Sequence, residues 1–357
     1  MHLSNQFKIH LIPTGGVRND NTLDAFRLMC QQGEMFDHLA PCLKIWHQFD
    51  LGYPGSLGKG KYFAWPIFEL DTFDEKEKHH LKYPDSLIVC SEWAKDVIKQ
   101  NGILQEVYVV PLGVDTSVFN YKKVIKSDNK DTIFFHAGKW EVRKGHDFMV
   151  DWFNSAFETT DNVQLWLMPH NPFLKPDESQ AWAGLYMNSP MGKAGRITIV
   201  PWQPTQNHVS DVMAQTDCGL FPARAEGWNL ELLEMMAMNK AIITTNYSAH
   251  TEFCNTDNAL LIECNDLEPA YDGKWFFEQG NWAVIGDKQK EQGIQYMRLI
   301  HKSKQEGKDI SNLNGLAMAQ SLTWKNTIER LANVIYTNDK ETKEAASNNR
   351  KLIGQAL

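Results

Sequence analysis

The sequence lacks the features that would assign it to a specialised class of protein. No apolar run approaches the roughly 20 residues that a membrane-spanning helix requires, and the first residues, Met1 to Lys8, contain no apolar segment typical of a secretion signal. The six cysteines are isolated, without the C-x-x-C spacing of zinc or redox sites and without the density of a disulfide scaffold. These absences favour a soluble, cytoplasmic protein in a reducing compartment.

An excess of basic charge is also missing. The chain has 36 lysines and arginines against 44 acidic residues, for a formal net charge of -8. This balance argues against binding nucleic acid through global charge, although a local basic groove stays possible. With 43% apolar and 22% charged residues the composition is that of a globular protein, and 357 residues are about what two domains require.

Short apolar runs alternate with helical patterns along the chain, which predicts parallel sheets covered on both faces. The predicted strands are Lys8 to Ile12, Leu43 to Trp46, Phe63 to Phe68, Ser86 to Cys90, Val107 to Val110, Thr132 to His136, Val163 to Met168, Ile197 to Val200, Cys218 to Phe221 and Ala241 to Thr245. The predicted helices are Thr22 to Gln31, Glu92 to Gln100, Asp147 to Phe157, Asn207 to Gln215, Leu230 to Met238, Lys288 to Lys304 and Thr323 to Tyr336.

The polar stretch from Tyr121 to Asp131 has few apolar residues and is typical of a linker. It predicts an N-terminal domain over residues 1–122, a C-terminal domain over 123–336 and a helix or tail over 337–357. Ligands of such α/β domains bind at the carboxyl ends of the strands, in a cleft between the two sheets. The aromatic-rich region from Glu263 to Asn281 is expected to be irregular.

A glycine-containing loop carries the most informative residues. The strand ending at Phe221 is followed by Glu226 and Gly227, and a helix is predicted to start near Asn229. The free amides and the positive end of the helix dipole make this a site for an anion such as a phosphate. Glu234, in the second turn, could accept hydrogen bonds from the vicinal hydroxyls of a ribose, although Glu69 and Glu77 share the same spacing and the pairing could be accidental.

A basic turn follows the first strand of the second half, with Lys139, Arg143 and Lys144 between Gly138 and Gly145. These cations could clamp a diphosphate while the glycines allow close approach; the alternative is a solvated turn. Gly15 and Gly16 follow the first strand of the chain. They lack the G-x-G-x-x-G pattern of a dinucleotide site, but their position would let them approach a phosphate in the cleft.

These segments resemble the retaining GT-B glycosyltransferases, and family 4 in particular. The resemblance extends in order from about Leu87 to Tyr336, and includes Val89-Cys-Ser91-Glu-Trp93, Pro111-Leu-Gly113-Val-Asp115 with Phe119, the E-x7-E pattern of Glu226 and Glu234, and Ser321-Leu-Thr-Trp324. It implies a GT-B fold, two facing Rossmann-like domains with a cleft between them. It also implies a retaining glycosyltransferase that uses a nucleotide sugar, with UDP or GDP as the nucleotide.

The resemblance assigns roles residue by residue. Glu226, Lys144 and Lys139 would be catalytic, the two lysines neutralising the diphosphate, and Glu234 would bind the donor ribose. The amides of Gly227, Trp228, Asn229 and Leu230 would hold the transferred sugar and the distal phosphate with Glu226. The chain departs from the family at Lys139 and Asn229, where arginine and glycine are usual, and at the cleft histidine, for which Glu69 and His47 are the candidates here.

The resemblance further implies a reaction without a side-chain nucleophile, in which the leaving diphosphate oxygen deprotonates the acceptor. Because Lys139 and Lys144 supply positive charge and Asp71-Thr-Phe-Asp74 is not a D-x-D motif, we expect neither a metal ion nor another cofactor.

The acceptor is expected to bind the first domain, where Lys59, Lys61 and Trp65 lie in a glycine-rich aromatic segment. These residues could contact a saccharide or glycoconjugate, or, in an alternative function, 5-hydroxymethylated pyrimidines in DNA. The opposing interpretation is a loop leading into a buried strand. A second alternative function is a non-catalytic protein of the same fold that binds a sugar or nucleotide.

Overall fold

The computed structural model describes residues 9, 11, 37–52, 59–123 and 130–338. Several predicted features lie wholly or mostly outside these residues. They are the strand from Lys8 to Ile12, Gly15 and Gly16, the helix from Thr22 to Gln31, most of the proposed linker and the tail after residue 338.

A parallel sheet is formed by the first half of the described chain. In order across the sheet its described strands are β1 (Cys42–Trp46), β2 (Tyr62–Pro66), β3 (Ser86–Val89) and β4 (Glu106–Val109). Helices α1 (Glu75–Leu81) and α2 (Glu92–Gln100) connect them. Ser91 caps α2, since its hydroxyl accepts a hydrogen bond from the amide of Ala94. The apolar runs of β2 and β3 are buried, which explains why they lack polar alternation.

A second parallel sheet follows within residues 130–338. Its strands lie in the order β10 (Leu260–Glu263), β9 (Ala241–Asn246), β8 (Cys218–Phe221), β5 (Thr132–Ala137), β6 (Val163–Met168) and β7 (Ile197–Ile199). The helices of this part are α3 (Met149–Ala156), α4 (Pro176–Met187), α5 (Pro190–Lys193), α6 (Gln206–Ala214), α7 (Leu230–Ala237), α8 (Asp287–Gln305) and α9 (Leu313–Ser321), with a short 3-10 helix at Ser248–Glu252.

The strand order places a topological switch between β5 and β8. From β5 the chain proceeds through β6 and β7 on one side, and then through β8, β9 and β10 on the other. Loops that leave two adjacent strands in opposite directions open a crevice at the carboxyl edge. The basic turn after β5 and the glycine loop after β8 therefore lie beside each other, and the alternating pattern predicted both strands correctly.

The region expected to be irregular instead contains a two-stranded antiparallel hairpin, β11 (Leu267–Tyr271) and β12 (Phe277–Ala283). The prediction was wrong because local sequence disfavours strands here: β11 contains Pro269, β12 contains Gly280, and the pairing is irregular between Pro269 and Tyr271. Tertiary packing stabilises the hairpin despite this weak local preference, since Trp282 is buried against Leu70 and Ala225.

A last described helix, α10 over residues 324–338, returns to the first sheet. The hydroxyl of Thr327 donates to the carbonyl of Pro111 at 2.8 Å, and the hydroxyl of Tyr108 donates to Oδ1 of Asn338 at 3.1 Å. The amide of Val114 donates to the carbonyl of Leu322 at 2.9 Å. The end of the described chain thus contacts the first unit, while the exact domain boundaries stay a prediction. Among the described residues, no helix has the length and apolar composition needed to cross a bilayer.

Candidate active site

The loops that follow β5 and β8 are fastened to each other. The amide of Arg224 donates to the carbonyl of Arg143 at 2.7 Å. The guanidinium of Arg224 donates two hydrogen bonds to Asp147, at 2.9 and 2.8 Å, in the bidentate geometry that fits a carboxylate. The two predicted motifs therefore form one constellation, held in register by backbone and side-chain bonds.

Glu226 lies at the centre of this constellation and is 4% exposed. Its Oε2 accepts a hydrogen bond from Nη1 of Arg143 at 2.8 Å, and its Oε1 lies 2.6 Å from Nζ of Lys144. Burial alone would raise the pKa of Glu226, but the charges of Lys144 and Arg143 outweigh it and lower that pKa to about 2. Glu226 is consequently an anion throughout the neutral range.

Arg143 was part of the predicted basic turn but was not among the predicted site residues. Its guanidinium also donates to Oε2 of Glu141 at 3.0 Å and lies 3.7 Å from Oε1 of Glu69, which belongs to the first unit. Although burial opposes the charged form, these carboxylates and Glu226 raise the pKa of Arg143. The available sequence signal was its position directly before Lys144; its three carboxylate partners are visible only in the fold.

The two predicted lysines have different environments. The Lys144 side chain is 9% exposed and is paired with Glu226, which raises its pKa despite the opposing effect of burial. The Lys139 side chain is 44% exposed, its Nζ is 4.0 Å from Oε1 of Glu141, and it lies over the ring of Phe173 at 5.1 Å. Lys139 is thus the cation of this turn that an incoming ligand can reach most easily.

The start of α7 is shaped by Asn229, whose backbone has φ 84° and ψ 78°. Asparagine tolerates this left-handed conformation better than most residues, which explains how it replaces the glycine usual in the resembling family. Its Oδ1 accepts a hydrogen bond from the amide of Leu232 at 3.1 Å, and its Nδ2 donates to Nε2 of His250 at 2.9 Å. Asn229 therefore caps the helix and anchors the loop.

The remaining residues of this loop have distinct positions. Trp228 is buried and packs against Phe253, with ring centroids 4.8 Å apart, so its side chain supports the loop. A Cβ on Gly227 would lie 2.7 Å from Cγ2 of Ile67 and 2.9 Å from the carbonyl oxygen of Phe68. Gly227 thus permits direct contact with the first unit. Leu230 is the first residue of α7.

Glu234 lies one turn further along α7, in a different electrostatic environment from Glu226. Burial, with a smaller contribution from the charge of Glu231, raises its pKa well above the ordinary value. No ion pair with a cation is found for its carboxylate among the described residues. A carboxyl group in this environment is stabilised when a ligand offers it hydrogen-bond donors such as hydroxyls.

Buried neutral histidines support the loops. Nδ1 of His136 donates to the carbonyl of Leu220 at 2.7 Å, and burial lowers the pKa of His136 to about 4. Nδ1 of His250 donates to the carbonyl of Thr245 at 3.1 Å, which leaves Nε2 free to accept from Asn229; burial lowers this pKa also to about 4. Neither histidine was predicted as a site residue, and both fix the loops as neutral groups.

Of the predicted acceptor residues, the structure brings Glu69 alone to this constellation, through its 3.7 Å contact with Arg143. His47 is exposed and stacks on Phe49, with centroids 5.1 Å apart. Trp65 is buried in the core, and Nζ of Lys61 donates to Oδ1 of Asn338, whereas Lys59 is exposed. Trp65 thus lies in a buried strand, as the opposing interpretation expected, while residues 53–58 before it lie outside the described residues. Gly15 and Gly16 lie outside the described residues.

Comparison with known proteins agrees with this architecture. Residues 130–272 match the family model described as "Glycosyl transferases group 1", a range that contains the basic turn, Glu226 and Glu234. No curated protein matches the chain. The chain has the GT-B fold of glycosyltransferases, with two Rossmann-like α/β units, as its structural neighbours show.

Three solved structures illustrate the likeness. Sucrose-phosphate synthase from Thermosynechococcus elongatus is 16% identical, over 78% of this chain and 68% of that one, with a TM-score of 0.57. The α,α-trehalose 6-phosphate synthase from Burkholderia multivorans is 11% identical, over 90% and 74%, with a TM-score of 0.60. HepE from Anabaena, solved with UDP, is 13% identical, over 78% and 72%, with a TM-score of 0.56. At these identities the three structures show a shared fold, and the family match indicates a glycosyl transferase group 1 domain over residues 130–272.

Proposed function

We propose that this protein transfers a sugar from a nucleoside diphosphate sugar to a hydroxyl of a saccharide or glycoconjugate, with retention of the anomeric configuration. The observation that carries the proposal is the buried Glu226, ion-paired to Arg143 and Lys144 beside the N-terminus of α7 at the sheet switch point. The family match over the same residues and the UDP complex of HepE support a nucleotide sugar, UDP- or GDP-linked, as donor.

The charges of the site indicate how a diphosphate would bind. Lys139, Arg143 and Lys144 are accompanied by three carboxylates, those of Glu69, Glu141 and Glu226, so their formal charges cancel. Attraction for the diphosphate must therefore come from directed groups. These groups are Lys139 and the amides of residues 227–230 at the start of the helix. Nζ of Lys139 is 4.0 Å from the nearest carboxylate oxygen, that of Glu141. Glu234 would accept hydrogen bonds from the ribose.

The state of Glu226 favours a reaction without a covalent glycosyl-enzyme. A carboxylate with a pKa of about 2 that is bound by two cations is a weak base and a weak nucleophile. In the proposed step, the bond from the anomeric carbon to the diphosphate oxygen breaks on the face where the acceptor oxygen forms its new bond. The acceptor proton passes to the departing phosphate oxygen. Lys139 and the amides of residues 227–230 stabilise the negative charge that develops there, so we propose that no metal ion is needed.

We propose a cytoplasmic setting and a glycan acceptor for this reaction. The five described cysteines are free thiols, which is consistent with the reducing cytoplasm proposed from the sequence. The DNA-modifying alternative was motivated by Lys59, Lys61 and Trp65, of which Trp65 is buried and Lys61 is bonded to Asn338. We therefore propose a glycan acceptor.

A donor panel tests the proposal. Release of nucleotide from UDP-, GDP- and ADP-sugars is measured with bacterial glycans or 5-hydroxymethylcytosine DNA as acceptor, and NMR assigns the anomeric configuration of the product. We expect release with one nucleotide, a retained configuration, and loss of release in Glu226→Ala and Lys144→Ala. Lys95→Ala, which alters an exposed pair with Glu92, is the matched control.

Three results would overturn parts of the proposal. Nucleotide binding without release from any donor would favour the non-catalytic alternative, and transfer to the DNA alone would favour the DNA-modifying one. An inverted product would contradict the step described above.

A further inference from the structure

Exposed aromatic rings gather at the tip of the β11–β12 hairpin. Phe173, Tyr271, Trp275 and Phe277, which we call the aromatic platform, are between 42% and 63% exposed. The rings of Phe173 and Trp275 have centroids 6.0 Å apart, and those of Tyr271 and Phe277 are 6.3 Å apart. Large aromatic side chains in such a group are unusual on a surface that serves no ligand.

The hairpin holds three of these rings at the carboxyl edge of the second sheet, and Phe173 joins them from the loop after β6. The hairpin follows β10 at one end of the sheet, yet its tip reaches the loop after β6 and the start of α4, where Lys274 pairs with Glu178. At its base the amide of Ala283 donates to the carbonyl of Arg224 at 3.0 Å. The amide of Asn281 donates to Oδ1 of Asp71 at 2.8 Å, which fastens the hairpin to the first unit.

The aromatic platform is continuous with the candidate active site. Nζ of Lys139 lies over the ring of Phe173 at 5.1 Å and is 4.0 Å from Oε1 of Glu141. Glu141 in turn accepts a hydrogen bond from Arg143, which binds Glu226. A molecule resting on the platform is therefore next to the cation that we assign to the donor diphosphate.

We propose that the aromatic platform, which belongs to the second unit, binds sugar rings of the acceptor, so that the acceptor is not held by the first domain alone as the sequence suggested. The inference rests on the proposed function, because it names the acceptor's binding surface for that reaction. A pyranose ring has apolar C–H faces and polar edges, so its faces pack on aromatic rings while its hydroxyls reach polar groups between them. Asp272, Lys274 and Gln279 lie between the aromatic residues of the hairpin along the chain. Oδ1 of Asp272 accepts from the amides of Lys274, Trp275 and Phe276, so this carboxylate holds the turn that presents the rings. An extended saccharide, with one sugar at the transfer site and others on the rings, fits this arrangement.

The test combines binding with kinetics. Wild-type protein with UDP is applied to a glycan microarray, and Trp275→Ala and Phe277→Ala are compared with it. The matched control is Tyr83→Ala, which removes an exposed aromatic ring of the first unit. We expect the wild type and the control to bind glycans on the array, and each platform variant to lose at least roughly tenfold in binding. With a glycan that supports transfer, the acceptor KM should rise at least roughly tenfold more than the donor KM.

The outcomes separate this inference from the proposed function. If wild-type protein binds no glycan, or the platform variants bind as the control does, the inference is overturned. Equal increases in the acceptor and donor KM would also contradict it. If glycan binding depends on the platform but no donor releases its nucleotide, the aromatic platform stands as a saccharide site and the proposed transfer reaction fails.

Discussion

Nζ of Lys144 lies 2.6 Å from Oε1 of Glu226, and both side chains are less than a tenth exposed. Removal of one member of such a pair leaves the other charged and buried without its partner, which costs more than the pair itself contributes. Arg143 can satisfy Glu226 partly, since it binds the other carboxylate oxygen. The site therefore combines a functional assignment with a stability requirement.

A double-mutant cycle separates these two roles. We expect Glu226→Gln to lower the free energy of unfolding by about 3 kcal/mol, because it leaves Lys144 buried without its partner. Lys144→Met should cost less, because Arg143 still binds Glu226. The double variant should lose less than the sum of the two. Urea denaturation at pH 7 measures all four proteins, and additive losses would show that the pair is not coupled.

The pH dependence of this stability follows from the lowered pKa of Glu226. In the unfolded chain a glutamate titrates at about 4.3, whereas in the fold the pKa is about 2. The stabilisation is present above the unfolded value and is lost as the pH falls through the folded value. The difference in unfolding free energy between wild type and Glu226→Gln should shrink from about pH 4 towards pH 2, and a difference that stays constant there would contradict this assignment.

The contribution of Glu234 to stability should depend on pH with the opposite sign. Its folded pKa is raised by burial, so ionising it costs folding free energy as the pH rises above the unfolded value of about 4.3. We expect Glu234→Gln to increase the free energy of unfolding at pH 7, by an amount that disappears below about pH 4. The same variant should weaken donor binding, measured by calorimetry with UDP, because an amide is a poorer acceptor for ribose hydroxyls. Greater stability with unchanged UDP affinity would leave Glu234 without the ribose role.

The sequence was sufficient to predict the strands and helices that carry the site, because their patterns are strong. The run from Val163 to Met168 was predicted with its observed bounds as β6, and α2 likewise from Glu92 to Gln100. Strands β5 and β8 are short apolar runs bounded by loop residues, so the loops after them were placed correctly. The resemblance assigned Glu226 and the two lysines of the basic turn to one donor, and in the fold the adjacent parallel strands β5 and β8 bring them together.

Other features depend on contacts between distant segments. Arg143 could not be distinguished from a solvated cation until Glu69 and Glu141 were seen beside it. Trp65 lies in the predicted strand from Phe63 to Phe68, but the local pattern did not show that its side chain is buried in the core and not exposed to an acceptor. The β11–β12 hairpin has weak local strand preference and is stabilised by the burial of Trp282. Such features are decided by packing rather than by local pattern.

Asn229 offers a test of the loop's backbone. Asn229→Ala and Asn229→Gly both lose the hydrogen bonds to Leu232 and His250, but only alanine must also adopt the left-handed conformation, at a cost of about 1–2 kcal/mol. We therefore expect Asn229→Gly to be more stable than Asn229→Ala by about 1 kcal/mol, measured by urea denaturation. Equal stabilities of the two variants would show that the capping bonds, and not the backbone conformation, explain the asparagine.

Gly227 tests the contact between the units at the glycine loop. A Cβ there would lie 2.9 Å from the carbonyl oxygen of Phe68, which as a backbone atom cannot move aside without shifting its chain segment. Because small displacements at an active site can reduce turnover by up to about 100-fold, we expect Gly227→Ala to lower nucleotide release at least tenfold. Gly184→Ala is the matched control: its Cβ would meet nothing closer than Nδ2 of Asn188 at 3.5 Å, within helix α4. The control should retain wild-type release, and retention of release by Gly227→Ala would mean that close approach of Phe68 is not needed for the reaction.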